Sequence, residues 1–187
     1  MTRPGRKVPP GPEILTAIRL LLLDVDGVLT DGQIIYTAEG HEIKSFSVRD
    51  GLGIRLAMDA GIRVGIVTAR ASEALRHRCR NLGIDLIFDG VQDKGAALDA
   101  IVEQTGIPAR QTAFVGDDLL DLPLMRRVGV AAAVADADDM VLEYADLVTR
   151  RAGGQGAVRE VCELLLKARG EWAHIRRRFG GDEEQGS

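Results

Sequence analysis

Ile18-Arg19-Leu20-Leu21-Leu22-Leu23-Asp24-Val25-Asp26-Gly27-Val28-Leu29-Thr30 is the stretch on which the reading of this chain turns. Its apolar run from Ile18 to Val25 is too short to cross a bilayer and ends in charge, so it reads as a buried strand. Side-chain alternation then sets Asp24 and Asp26 on the same side at the mouth of a sheet, followed by Gly27. Two carboxylates so placed repel each other. They persist where a cation screens them or where the two take different protonation states, which points to metal binding and acid/base work.

Outward from this strand, short apolar runs alternate with helical patterns, as in βαβ units around a parallel sheet. Further strands are expected at Arg63 to Val67, Leu86 to Phe88, Thr112 to Val115, Ala131 to Val134 and, weakly, Leu147 to Val148. Ser72 to Leu82 reads as a helix capped by the Ser72 hydroxyl and closed by Gly83. Lys94 to Gln104 is closed by Gly106 and Pro108, and Ala157 to Arg169 forms a final helix running on towards Arg178. The fold class is therefore α/β, Rossmann-like, with helices on both faces of a parallel sheet.

One segment breaks the rhythm. Between Gly32 and Val48, Ile34, Ile35 and Tyr36 face Ile43, Ser45 and Phe46 across a Glu39-Gly40 turn, the pattern of a β-hairpin. It follows the Asp24 strand directly and so projects from the carboxyl edge of the sheet, where open α/β folds place ligands.

The chain has 187 residues, 45% of them hydrophobic, which suits one domain. That domain is expected over residues 13–170, with a disordered tail at 1–12 and a partly disordered C-terminal extension at 171–187. The formal net charge of -4 provides no field for nucleic acid or an anionic membrane. Arg176-Arg177-Arg178 is balanced by Asp182-Glu183-Glu184 and reads as a solvated helix end. Cys79 and Cys162 read as buried thiols of a reducing compartment, and no leader or membrane span is recognisable, so a cytoplasmic protein is expected.

Three more features fall at the ends of other expected strands and converge on the same edge. Thr68 follows Ile66-Val67 and offers a hydroxyl for a phosphate oxygen. Lys94 follows the third strand and can neutralise both a carboxylate and a phosphate. Gly116-Asp117-Asp118, with Asp121 beyond it, adds a second acidic cluster. Hard oxygen ligands without nearby Cys or His select Mg2+. His41, His77 and His174 lie in a hairpin turn, on an exposed helix face and in the C-terminal extension, so none is a ligand candidate.

Asp24-Val25-Asp26-Gly27-Val28-Leu29-Thr30, Thr68, Lys94 and Gly116 to Asp121 resemble, in order, the four motifs of the haloacid dehalogenase superfamily. Within it the chain is similar to the 3-deoxy-D-manno-octulosonate 8-phosphate (KDO 8-phosphate) phosphatases. Val48-Arg49-Asp50-Gly51, Val67-Thr68-Ala69-Arg70 and Ala152 to Glu160 carry that likeness, which runs from about Ile18 to Leu166. The resemblance implies an Mg2+-dependent phosphatase of KDO and lipopolysaccharide biosynthesis. By it, Asp24 is the nucleophile and Asp26 the acid/base. The Asp24 and Asp117 carboxylates and the Asp26 carbonyl bind Mg2+, Asp118 or Asp121 shapes the outer shell, and Thr68 and Lys94 hold the phosphoryl group.

The spacings from Asp24 to Thr68 and from Thr68 to Lys94 leave no room for an inserted cap, since a domain takes about 50 residues or more. An open site needs a macromolecular substrate or a second subunit to close it. The resemblance implies a homotetramer, with hairpin 32–48 in assembly and the segment 152–160 closing a neighbour's site. Arg70 and Arg78 are the candidate contacts to the phosphate or the sugar-acid carboxylate. Where the octulosonate phosphatases show Gly-Gly-Arg-Gly, this chain has Gly153-Gly154-Gln155-Gly156, and Gln lacks the charge. The alternative substrates are N-acylneuraminate and deaminoneuraminate 9-phosphates. A phosphatase-like assembly module without activity is the alternative of another class, and a signalling receiver domain is disfavoured by its different motif order.

Overall fold

The computed structural model describes residues 10–180. Residues 1–9 of the tail expected at 1–12, and the end of the extension at 181–187, lie outside them, and Pro12 already belongs to a helix. Among the described residues, eight strands and eight helices follow one another in chain order. They are α1 (Pro12–Thr16), β1 (Leu20–Leu23), β2 (Ile35–Tyr36), β3 (Glu42–Ile43), α2 (Val48–Asp59), β4 (Arg63–Val67), α3 (Glu73–Leu82), β5 (Leu86–Phe88), α4 (Lys94–Thr105), β6 (Thr112–Gly116), α5 (Leu122–Met125), β7 (Val130–Ala133), α6 (Asp139–Tyr144), β8 (Leu147–Val148), α7 (Ala157–Ala168) and α8 (Glu171–Arg178).

Six strands make one parallel sheet in the order β5-β4-β1-β6-β7-β8, flanked by helices. The four leucines of β1 are all fully buried, because this central strand has a neighbour on each side and helices above and below. The chain builds outward from β1 through β4 to β5, then crosses back to β6 and builds the other way. The gap between β1 and β6 is thus the switch point at which such sheets open a crevice. Leu23 pairs with Val115 and with Ile66, so the loops after β1, β4 and β6 leave the sheet at one level.

Helix ends are set by local chemistry. Asp93 caps α4 by accepting from the Ala96 N–H, and Gly106 closes it at φ 67°. Gly83 closes α3 at φ 83°, but the side chain of Ser72 makes no capping bond, contrary to expectation. The last helix also differs from the expected continuous run. Gly170 sits at φ 75° and ends the path of α7, and α8 folds back so that Trp172 and Ile175 meet Leu56 and Leu166 in a small apolar cluster. Arg178 of the basic run pairs with Asp59 at 3.5 Å.

The hairpin forms, with a shorter ladder than the sequence suggests. Ile35 pairs with Ile43 and Tyr36 with Glu42, whereas Phe46 leaves the hairpin to pack on the core. Gly40 turns the tip at φ 83°. Alternation gives the arm two faces. Ile35 and Ile43 are exposed on one, and Tyr36, Glu42 and Lys44 turn to the carboxyl edge of the sheet.

Asp50, 1% exposed in the first turn of α2, ties that helix to α7. Its carboxylate accepts the amides of Gly156 at 3.2 Å and Arg159 at 2.7 Å. Removing this acceptor strands two amides inside the protein. Asp50→Ala is expected to destabilise the fold by about 1–3 kcal/mol, read as a lower urea midpoint with an unchanged slope.

Candidate active site

The chain leaves β1 at Leu23, and the Asp24 amide makes one more ladder bond, to the Val115 carbonyl at 3.0 Å. Beyond it, Val28, Leu29 and Thr30 all donate to the Val25 carbonyl in a tight loop. Gly27 makes that loop feasible. Its φ is 87°, and a Cβ there would meet Asp117 Oδ2 at 1.9 Å, so the loop passes against the acidic cluster where no side chain fits.

Asp24 is buried, and its Oδ1 lies 2.8 Å from Lys94 Nζ. The same ammonium stands 2.6 Å from Asp121 Oδ1, in a side chain only 4% exposed. Asp121, which is 0% exposed, also accepts the Asp117 amide at 2.8 Å and the Asp118 amide at 3.2 Å through Oδ2. Asp24, Asp117 and Asp121 each bring an oxygen within 4.8 Å of the others. Asp117 Oδ1 is buried and finds no hydrogen-bond partner among the described residues.

Three carboxylates facing one lysine leave the pocket short of positive charge. Burial and the charge of Asp121 push Asp24 up to about 6 against the pull of Lys94. Burial, then Asp24 and Asp121, push Asp117 up to about 8. Burial opposes the charge of Lys94, but Asp24 and Asp121 outweigh it and hold the ammonium above its ordinary range. An all-oxygen donor set with an orphaned buried oxygen fits a hard divalent cation.

Asp26 stands apart from this cluster. The expected mutual repulsion of Asp24 and Asp26 is replaced by separate pairing, because the turn at Val25 sends the second carboxylate towards the hairpin. There it meets Lys44 Nζ through Oδ1 and Arg70 Nε at 3.7 Å through Oδ2. The repulsion that shapes the site acts instead between Asp24 and the β6 cluster.

Thr68 lies at the end of β4, 2% exposed, one strand away from Asp24. Its hydroxyl accepts the Arg70 amide at 3.4 Å. The Arg70 side chain is 42% exposed over the mouth, donating to Glu42 at 3.1 Å and to the Tyr36 hydroxyl at 3.3 Å. Burial works against ionisation of Glu42, yet the bonds from Arg70 and Lys44 outweigh it and hold its carboxyl below the usual range.

Not every expected residue arrives. Arg78 donates to the Ser47 carbonyl at 3.1 Å and lies over the Phe46 ring at 5.8 Å, so within its own chain it braces the hairpin stem. Asp118 is exposed, and its Oδ1 takes the Leu119 amide at 2.7 Å as the cap of a short turn. Within its own chain, the segment 152–160 packs closely against the loop that follows Asp24. Gly153 donates to Asp136 at 2.9 Å and Gly154 to the Val28 carbonyl at 2.9 Å, and a Cβ on Gly153 would meet the Gly27 carbonyl at 1.7 Å. Those glycines serve close packing against the Asp24 loop, and Gln155 is left exposed. Sequence reasoning missed Lys44 and Glu42. The signal was their period-two spacing on a hairpin directly after the acidic strand.

The fold is that of the haloacid dehalogenase-like hydrolases, and the family model of that description matches residues 86–161. The 3-deoxy-D-manno-octulosonate 8-phosphate phosphatase KdsC of Escherichia coli is 50% identical over 154 residues, 82% of this chain and 82% of the relative. A crystal structure of the phosphatase of that name from Moraxella catarrhalis, in complex with magnesium, phosphate and KDO, superposes with TM-score 0.88 at 40% identity, covering 90% of this chain and 97% of that one. A cobalt-bound deoxy-D-mannose-octulosonate 8-phosphate phosphatase of Haemophilus influenzae gives TM-score 0.86 at 45% identity, covering 89% and 98%. This chain belongs to the 3-deoxy-D-manno-octulosonate 8-phosphate phosphatase family.

The raised carboxyls of Asp24 and Asp117 mean that the metal-free folded site holds protons that unfolded carboxylates would have lost. A cation must displace them. Mg2+ affinity is therefore expected to rise between pH about 6 and about 8, with proton release measurable by calorimetry in buffers of different ionisation enthalpy. Equal affinity at both ends of that range would contradict this account.

Proposed function

We propose that this chain is an Mg2+-dependent phosphomonoesterase that converts 3-deoxy-D-manno-octulosonate 8-phosphate to KDO and phosphate. The observation that carries the reading is a buried carboxylate, Asp24, held 2.8 Å from Lys94 at the switch point of the sheet and facing the orphaned oxygen of Asp117. Relatives at about half identity bear the phosphatase name over most of this chain.

Asp24 attacks phosphorus in line, forming an aspartyl-phosphate as the bond from phosphorus to the sugar oxygen breaks. Asp26 gives a proton to that departing oxygen. It then takes one from the water that attacks phosphorus and frees Asp24. Thr68 and Lys94 hold the phosphoryl oxygens, and Lys94 also keeps Asp24 aimed. Mg2+, when bound by the Asp24 and Asp117 carboxylates and the Asp26 carbonyl, supplies the positive charge that lets two anions approach. Asp121 supports that set by fixing Lys94 and the Asp117 amide, with Asp118 at its edge. Arg70, exposed at the mouth, receives the sugar-acid carboxylate.

The apolar outer face of the hairpin, with Ile35 and Ile43 both 47% exposed, suits assembly as a homotetramer in which a neighbour closes the open mouth. Cys79 and Cys162 are buried free thiols, in keeping with the reducing cytoplasm. No helix among the described residues is long and apolar enough to cross a membrane.

Asp24→Asn is expected to lower phosphate release by ~10⁴-fold or more, the order lost when a nucleophile is removed, without changing assembly. Full activity in that variant would sink the mechanism and favour a non-catalytic assembly role. Release from a panel of octulosonate 8-phosphate, nonulosonate 9-phosphates and simple sugar phosphates, with and without Mg2+, should favour the octulosonate and require the metal. Equal rates across the panel would refute acid-sugar specificity. Paired Ile35→Glu and Ile43→Glu changes should lower the mass measured by light scattering to that of smaller species.

A further inference from the structure

Four charged side chains from three separate segments close a ring beside the nucleophile. Arg70, after β4, reaches Glu42 at 3.1 Å, and Glu42 lies 3.2 Å from Lys44 on the same hairpin face. Lys44 meets one oxygen of Asp26, and the other oxygen of Asp26 faces Arg70 at 3.7 Å. The Lys44 side chain is 2% exposed, so this is no solvated surface pair of the kind that contributes little. With two cations and two anions in alternation, each member has a partner on both sides. That fixes the Asp26 carboxylate about its own side-chain bonds, while Arg70 remains open enough to bind a ligand.

We propose that Lys44 is a positioning residue for Asp26, holding its carboxylate on the line from which a proton reaches the departing sugar oxygen. This rests on the acid/base role given to Asp26 above. In the step concerned, Asp26 enters in its acid form, carrying on the oxygen not held by Lys44 the proton taken from water in the preceding turnover; that O–H bond breaks and the proton passes to the bridging oxygen. That oxygen receives the electron pair of the breaking bond to phosphorus, while Asp24 forms the new bond. Lys44 itself gains and loses nothing. Its hydrogen bond sets where the carboxylate points, and an acid misplaced by about 1 Å loses much of its effect.

The test is the rate of phosphoenzyme formation in rapid-quench experiments on the full chain with Mg2+. Two substrates are compared: octulosonate 8-phosphate, whose alkoxide needs a proton to leave, and p-nitrophenyl phosphate, whose phenolate does not. Lys44→Met is expected to slow the first about ten- to a hundredfold, a share of the roughly 10²–10⁴ that a placed acid supplies, and the second no more than about threefold. Lys44→Arg should restore most of the loss, and KM should change little. Equal slowing with both substrates, or none, would overturn the proposal and reduce Lys44 to a structural ion pair. Asp26→Asn separates the layers. A substrate-selective loss there without one in Lys44→Met refutes only the role of Lys44. If Asp26→Asn shows no selective loss, the acid/base assignment itself fails.

Discussion

Three carboxylates share one buried ammonium, and much of the molecule is arranged around that imbalance. Asp24, Asp117 and Asp121 come from the loops after the two central strands, and Lys94 reaches them from the start of α4. A parallel sheet supplies the geometry, since strands in register release their loops at one level. Full burial of β1 supplies the rigidity. Charge that would be screened at a surface is left to act at short range, and the site answers by holding protons or by taking a cation.

Such an arrangement was legible in the sequence to the extent that it depends on strand ends. Arg63–Val67, Leu86–Phe88 and Leu147–Val148 are strands at the expected bounds, and the other three central strands differ by a residue or two at their ends. Asp24, Lys94, Asp117 and Asp121 are brought together by topology that βαβ alternation predicts. What could not be read is what depends on the path of irregular chain. Asp26 was expected beside Asp24 by strand alternation, but the strand ends before it, and the turn at Val25 gives the carboxylate different company. Arg78 lies on the expected helix, yet its partner carbonyl belongs to the stem of a hairpin whose docking no local pattern encodes. Glycines 153 and 154, expected in a segment that closes a neighbour's site, make close contacts within their own chain to the loop after Asp24, which no local pattern encodes.

The division of labour between the two sides of the site follows from the same geometry. On the sheet side, the cluster around Lys94 is buried and uniform in chemistry, suited to phosphate whatever carries it. On the hairpin side, Arg70, Tyr36 and Glu42 are partly or wholly exposed and differ in kind.

The hairpin ladder comprises only two residue pairs, and that brevity has an evolutionary consequence. Successive side chains on such an arm point to opposite faces, so adding one residue to the turn between Tyr36 and Glu42 and shifting the register would exchange the roles of Ile43 and Lys44. An ammonium would then face outward and an isoleucine would press on Asp26. Length in this loop is thus constrained by parity. Apart from Gly40, whose φ of 83° favours glycine, the tip has open space for side chains but far less latitude for insertions, and lineages that lengthen it are expected to do so in steps that return each residue to its own face.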